Sequence, residues 1–236
     1  MSKPFSGRIA FVTGASRGLG RAVAIALGGA GAHVICVART VGGLEETDDA
    51  IQKAGGTATL VPLNLKDVAA IDRLGASIFE RWGKLDALLG NAGTLGVLTP
   101  LAQLDPKVFT ELMDINVIAN WRLIRSLDPL LRQSDAGRAL FITSGAAATH
   151  RPYWGGYSMS KAALENLALT YAAECEGNKV KVNLLNPGAI RTAMRAKAMP
   201  GEERSSLKRP EELAPLIVEL LSPSNEKNGE LFNFQS

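Results

Sequence analysis

Short runs of branched apolar residues alternate with helix-length segments along most of the chain, and this alternation restricts the fold more than any other feature. Arg8–Thr13, His33–Ala38, Thr57–Leu63, Leu85–Leu89, Arg138–Thr143 and Lys179–Leu185 are rich in Val, Ile and Leu and read as strands buried on both faces. Between them, Gly18–Gly29, Leu44–Ala54, Asp67–Trp82, Pro106–Arg132 and Tyr157–Glu176 carry helical apolar spacing. Asp67 and Asp105 suit N-caps, Pro106 suits a first helical position, and Gly55, Gly56 and Gly177 are stop signals. Pro210 opens a last helix to Leu221, and 230–234 reads as a seventh strand. Strand–helix alternation of this kind implies an α/β fold with a doubly wound parallel sheet and helices on both faces.

A chain of 236 residues with 46% hydrophobic content suits one globular domain over 1–236. Its net charge of +3 is too mild to argue for nucleic acid. No apolar run is long enough to span a bilayer, and the N-terminus has no signal-peptide core. The expectation is therefore a cytoplasmic protein with neither nucleic acid nor membrane as a partner. Cys36 and Cys175 read as buried small apolar residues, not as a disulfide framework. No metal site is expected.

Sheets of this type bind ligands beyond the carboxyl ends of their strands. Thr13-Gly-Ala-Ser-Arg-Gly-Leu-Gly20 follows the first strand, Gly90-Asn-Ala-Gly93 the fourth, Thr143-Ser144 the fifth and Asn186-Pro-Gly188 the sixth. Gly14 permits a tight turn there, while Gly18 and Gly20 let backbone and pyrophosphate approach at a helix N-terminus. Tyr157 and Lys161 stand at i and i+4, on one helix face. A free phenol titrates near ~10, and bringing it to neutral pH takes roughly 4 kcal/mol. A cation ~4 Å away supplies about that much at an effective dielectric of ~20. Tyr157 is thus a candidate proton donor with Lys161 as the group that lowers its pKa.

Thr-Gly-x-x-x-Gly-x-Gly, Asn-Ala-Gly, a helix asparagine, Ser, Tyr-x-x-x-Lys and Pro-Gly follow one another from Arg8 to Thr192. As a set they resemble the short-chain dehydrogenase/reductase family, and 187–195 resembles a poorly characterised bacterial branch of it. The resemblance implies a Rossmann-type sheet of about seven strands in the order 3-2-1-4-5-6-7. It implies Tyr157 as general acid or base, Ser144 as the hydrogen-bond donor to the substrate oxygen, Lys161 on the nicotinamide ribose, and Asn116 behind the lysine in a water relay. Cofactor contacts would come from Gly14, Ser16, Arg17, Gly18, Leu19 and Gly20 of the turn, then from Arg39, Thr40, Asn64 and Leu65. Asn91, Ala92, Gly93, Tyr157 and Lys161 would follow, with Pro187, Gly188, Ile190 and Thr192 on the far side.

Two positions depart from the family pattern. Gly90 replaces an asparagine and is expected to loosen its strand end, and Asn64 replaces an aspartate at the adenine while keeping a hydrogen-bonding amide. The second strand ends Cys36-Val-Ala-Arg39-Thr40, with no carboxylate for a ribose 2′-hydroxyl. Arg39 and Arg17 suit a 2′-phosphate, which a guanidinium pairs through its planar fork, so NADP(H) is the expected cofactor. The expected substrate pocket takes Leu95, Gly145, His150, Tyr153, Trp154 and Met194, under a basic lid near 191–209 that would suit an anionic substrate.

The expected activity is hydride transfer between NADP(H) and a small-molecule carbonyl or secondary alcohol. An epimerase or dehydratase using the same site is an alternative, as is a sensor or scaffold that binds the dinucleotide without turnover. The family also implies a homo-oligomer, a tetramer before a dimer, with Trp121, Leu164, Leu167 and Tyr171 on the helices that would meet.

Overall fold

The computed structural model describes residues 3–234. The elements run β1 (Ile9–Thr13), α1 (Gly18–Gly29), β2 (His33–Ala38), α2 (Val41–Lys53), β3 (Thr57–Pro62), α3 (Val68–Trp82) and β4 (Ala87–Gly90). They continue with α4 (Pro106–Met113), α5 (Ala119–Gln133), β5 (Arg138–Ile142), α6 (Gly155–Glu174), β6 (Lys181–Asn186), α7 (Ala193–Ala198), α8 (Pro210–Leu220) and β7 (Leu231–Asn233). The seven strands form one sheet in the order β3-β2-β1-β4-β5-β6-β7, all parallel. This is the expected Rossmann-type topology. Its order reverses beside β1, which opens a crevice between the ends of β1 and β4.

Successive side chains of a strand point to opposite faces, so each central strand feeds two cores. Ala10 and Val12 of β1 and Val34 and Cys36 of β2 pack with Val23, Leu27, Leu44, Ile51, Leu213 and Ile217 of α1, α2 and α8. Ile9, Phe11, Ile35 and Val37 turn the other way, to Ile71, Leu123, Leu127, Leu164 and Tyr171 of α3, α5 and α6. Burial on both faces holds for β1, β4 and β5 throughout. It fails for β3 and β7, whose residues are half-buried or exposed, because each lies at a margin of the sheet where helices cover it incompletely.

The N-caps form as expected: the Asp67 carboxylate accepts from the Ala70 N–H (2.9 Å) and that of Asp105 from the Lys107 N–H (2.7 Å). The long helix expected over 106–132 is interrupted by a π-helical turn at Asp114–Ile118. Element boundaries also differ by a few residues. β4 starts at Ala87, since Asp86 precedes it and its carboxylate accepts the Ile9 N–H (2.8 Å). The helix expected from Leu44 begins at Val41, and the one expected from Tyr157 begins at Gly155. Part of the basic stretch 191–209 is helical, as α7, and its base is pinned where Ile190 bridges Lys208. Among the described residues, no helix is long and apolar enough to cross a membrane. Both cysteines are buried and free.

Candidate active site

The site is assembled where the ends of β1, β4, β5 and β6 meet. Thr13 stitches the first two. Its hydroxyl donates to the Leu89 carbonyl (3.2 Å) and accepts from the N–H groups of Asn91 and Ala92 (both 2.9 Å). The Asn91 amide donates back to the Thr13 carbonyl (2.8 Å). Gly14 follows with φ +67°, and a Cβ on it would stand 2.8 Å from Asn91 Nδ2. At Gly20 a Cβ would fall 2.3 Å from the Gly14 carbonyl oxygen, so the first turn of α1 lies directly on the loop. No acidic residue occupies that turn, and the free N–H groups of α1 face the crevice as an anion-binding terminus.

At the other side, Asn186 joins β6 to the loop after β5. Its Oδ1 accepts from the N–H groups of Gly145 (3.0 Å) and Gly188 (3.1 Å), and its Nδ2 donates to Asn233 Oδ1 (2.9 Å). Asn116 is fully buried in the π-helical turn and ties three elements together. Its Oδ1 accepts from the Thr94 N–H (2.8 Å), and its Nδ2 donates to the Thr94 carbonyl and the Ser160 hydroxyl (both 2.9 Å). A π-turn is an uncommon insertion that recurs at functional sites; here it aims this amide at the loop after β4.

A cleft of about 680 Å³ runs along these strand ends. Tyr157 and Lys161, one turn apart on α6, both line it and are both buried. Lys161 Nζ donates to the Ile142 carbonyl (2.7 Å) and lies 5.9 Å from the centre of the Tyr157 ring. Burial pulls the lysine down to about 8, against the field of Glu165, which favours its charged form. Burial also raises the Tyr157 phenol, and a hydrogen bond with Ser144 opposes the rise. In this geometry the phenol therefore sits above its usual range, contrary to the expectation that the lysine lowers it. The low-dielectric wall acts on both groups, and it weakens the ammonium that would lower the phenol.

Residues 8–203 match the family model for short chain dehydrogenases. The chain belongs to the short-chain dehydrogenase/reductase family. Among the relatives of this chain is the uncharacterised oxidoreductase YciK of Escherichia coli K12, 36% identical over 97% of this chain and 92% of that one. A short chain dehydrogenase of Pseudomonas syringae superposes with a TM-score of 0.95 at 39% identity, over 100% of this chain and 97% of the other. A short chain dehydrogenase of Shigella flexneri 2a, solved in complex with NADP, superposes with a TM-score of 0.95 at 35% identity over the full length of both. These relatives place the chain in a poorly characterised bacterial branch of the family.

The cleft of this short-chain dehydrogenase/reductase brings together most of the residues singled out in its sequence. Gly14, Ser16, Arg17, Gly18 and Leu19 line it beside Arg39, Thr40, Asn64 and Leu65. Asn91, Ala92, Gly93 and Ser144 form its floor region with Tyr157 and Lys161, and Pro187, Gly188, Ile190 and Thr192 face them. Leu95, Trp154 and Met194 line the remaining end. Gly20 and Asn116 stand behind the lining.

Gly145, His150 and Tyr153 do not line the cleft, against expectation. Gly145 starts a one-turn 3₁₀ segment whose N–H is held by Asn186, and this carries the following loop outward, leaving His150 and Tyr153 exposed. Tyr153 has φ +73°, and its carbonyl accepts from the Thr99 N–H (3.0 Å). Glu111 and Ile115 line the cleft without having been foreseen, and Arg195 and Lys197 bring the expected basic stretch to it. So do the stitching roles of Thr13 and Asn186 emerge only here. Both precede glycine motifs in sequence, which is the one signal that pointed to them.

Proposed function

We propose that this short-chain dehydrogenase/reductase transfers a hydride between NADP(H) and a small carbonyl compound or secondary alcohol. The observation that carries the reading is one continuous cleft, running from an arginine-lined end at Arg17 and Arg39 to a buried phenol at Tyr157. The residues present fit a phosphorylated dinucleotide. Gly14 and Gly20 leave room that a Cβ would fill, and the N-terminus of α1 is free of carboxylates. Neither Arg17 nor Arg39 has an acidic partner among the described residues, which leaves both guanidiniums free for a 2′-phosphate. The NADP complex of the Shigella relative supports the same choice.

When bound, NADP(H) supplies or accepts the hydride. The chain's own residues handle the proton. Tyr157 donates it to the carbonyl oxygen in reduction and removes it from the hydroxyl in oxidation. Ser144 hydrogen-bonds the same oxygen and steadies its developing charge. Lys161 binds the ribose hydroxyls and stands beside the phenol as its cation. Asn116 fixes the loop after β4 against α6. Leu95, Trp154 and Met194 give the substrate end an apolar wall, and α7 carries the segment 191–209 over it as a lid. Lys197 closes that lid by donating to the Gly96 carbonyl (3.0 Å).

The test is a panel of aldehydes and ketones, followed by loss of reduced-nicotinamide absorbance. Tyr157→Phe should lose about 10²–10⁴-fold in turnover while binding NADPH as the wild type does. Turnover by Tyr157→Phe at the wild-type rate would remove the phenol from the mechanism.

A further inference from the structure

Glu165 is the next residue along the face of α6 that carries Tyr157 and Lys161, at i+4 from the lysine. Its carboxylate is half-buried and accepts a hydrogen bond from the Thr143 hydroxyl (2.7 Å). Thr143 is itself buried at the end of β5, immediately before Ser144, and its N–H donates to the Leu185 carbonyl (2.9 Å). One carboxylate thus meets the strand end that presents the serine and lies one turn from the buried ammonium. Resting on the function proposed above, we propose that Glu165 is a positioning residue: it holds Lys161 in its ammonium form and anchors Thr143, and through it Ser144, against α6.

The surroundings of Lys161 leave this role to Glu165. The strand end against it offers the Ile142 carbonyl and the hydroxyls of Thr143 and Ser144. The loop after β4 offers Gly93, where an added Cβ would lie 3.6 Å from Nζ, and behind it the neutral amide of Asn116. On α6 itself the titratable neighbours are Tyr157 and Glu165. The other elements packed on α6 carry Lys107 and Glu111 on α4, Asp114 in the π-turn, Lys181 on β6 and, on α5, Asp128, which meets Tyr171 farther along α6, while Arg138 lies at the far end of β5. Of these charges only that of Glu165 bears on the lysine, and it favours the protonated form that burial disfavours. A neutral Lys161 would keep its place in the packing but lose its pull on the phenol.

Charge and anchoring separate cleanly by substitution. Glu165→Gln keeps an oxygen that accepts from Thr143 and removes the charge. Thr143→Val removes the hydrogen bond and keeps the charge. Protein labelled with ¹³C at lysine Cε and glutamate Cδ, with Lys161 assigned through Lys161→Arg, would be titrated by NMR as the full chain without cofactor or substrate. The wild-type lysine should titrate at about 8. In Glu165→Gln it should titrate lower by at least about half a pH unit, and in Thr143→Val it should stay put. In the wild type, the Glu165 Cδ resonance should show a second inflection at the lysine's own midpoint, a measurement that needs no variant to fold. An unmoved lysine in Glu165→Gln, an equal shift in Thr143→Val, or no second inflection would each overturn the proposal. The titration involves no turnover, so failure of the carbonyl panel leaves it standing and its failure leaves the panel standing.

Discussion

Arg39 stands exposed at the end of β2, on the cleft, with Arg17 across from it on the glycine turn. Two guanidiniums without acidic partners at one end of a dinucleotide cleft favour the doubly charged 2′-phosphate over a hydroxyl. NADPH should therefore bind at least roughly tenfold tighter than NADH, which corresponds to only ~1.4 kcal/mol. Replacing Ala38 with Asp and Arg39 with Leu should reverse the order, because a carboxylate would then meet the phosphate and suit the ribose hydroxyl. Fluorescence titration of both cofactors at one ionic strength checks this, since salt screens exposed phosphate contacts. Equal dissociation constants would show that the arginines do not read the phosphate. The placement of such residues was legible in the sequence because it follows from local spacing: Tyr157 and Lys161 share a helix face, and Arg39 follows the end of a strand. Thr13 and Asn186 were not legible as keystones, because each acts through bonds to residues 78 and 41 positions away. Nor was the direction of the Tyr157 shift, since it follows from burial that only the packed α6 creates.

Among the elements, β4 shows how a local departure is explained by packing. Gly90 was expected to loosen the strand end, but β4 is buried along its whole length and pairs with β1 and β5. A Cβ at Gly90 would lie 2.4 Å from Phe141 Cδ1 and 2.7 Å from Asn120 Oδ1. The glycine is thus the residue that lets the side chains of β5 and α5 close over the strand that leads into Asn91. Gly90→Ala should destabilise the protein by about 1–3 kcal/mol, the usual range for overpacking a filled core, and the asparagine of related proteins should be worse. Chemical denaturation checks this; an unchanged midpoint would mean that Phe141 moves aside freely. Strands and helices were legible as types because their apolar periods differ. The π-turn around Asn116 was not, because its register comes from the contacts with Thr94 and Ser160 and leaves no periodic trace in Asp-Ile-Asn-Val. Helix α7 was hidden for a related reason: six residues are too few to establish a period.

At the scale of the molecule, the parallel sheet and its order were legible from alternation and motif order, whereas the surface that would join copies of the chain was only partly so. Leu164 and Tyr171, on a helix expected to meet its symmetry mate, are buried in the core, and the Tyr171 hydroxyl donates to Asp128 Oδ1 (2.8 Å). Leu167 packs against the same core. Trp121 differs, being 45% exposed on α5. Ile118, at the end of the π-turn, lies beside it at i−3, and Met159 and Leu169 of α6 are 41% and 42% exposed. α5 and α6 cover the same face of the sheet. Their outer surfaces therefore present large apolar side chains that a lone chain would leave in water. We propose that these helices meet their symmetry mates, giving a homo-oligomer: a tetramer, or a dimer if one such surface suffices. An isologous contact of this kind buries each residue twice, so one substitution acts on both sides of the interface. Trp121→Glu should then lower the mass found by light scattering at micromolar concentration, with NADPH affinity kept because Trp121 does not line the cleft. A monomeric wild type would refute the assembly, and an unchanged mass for Trp121→Glu would move the interface to another face.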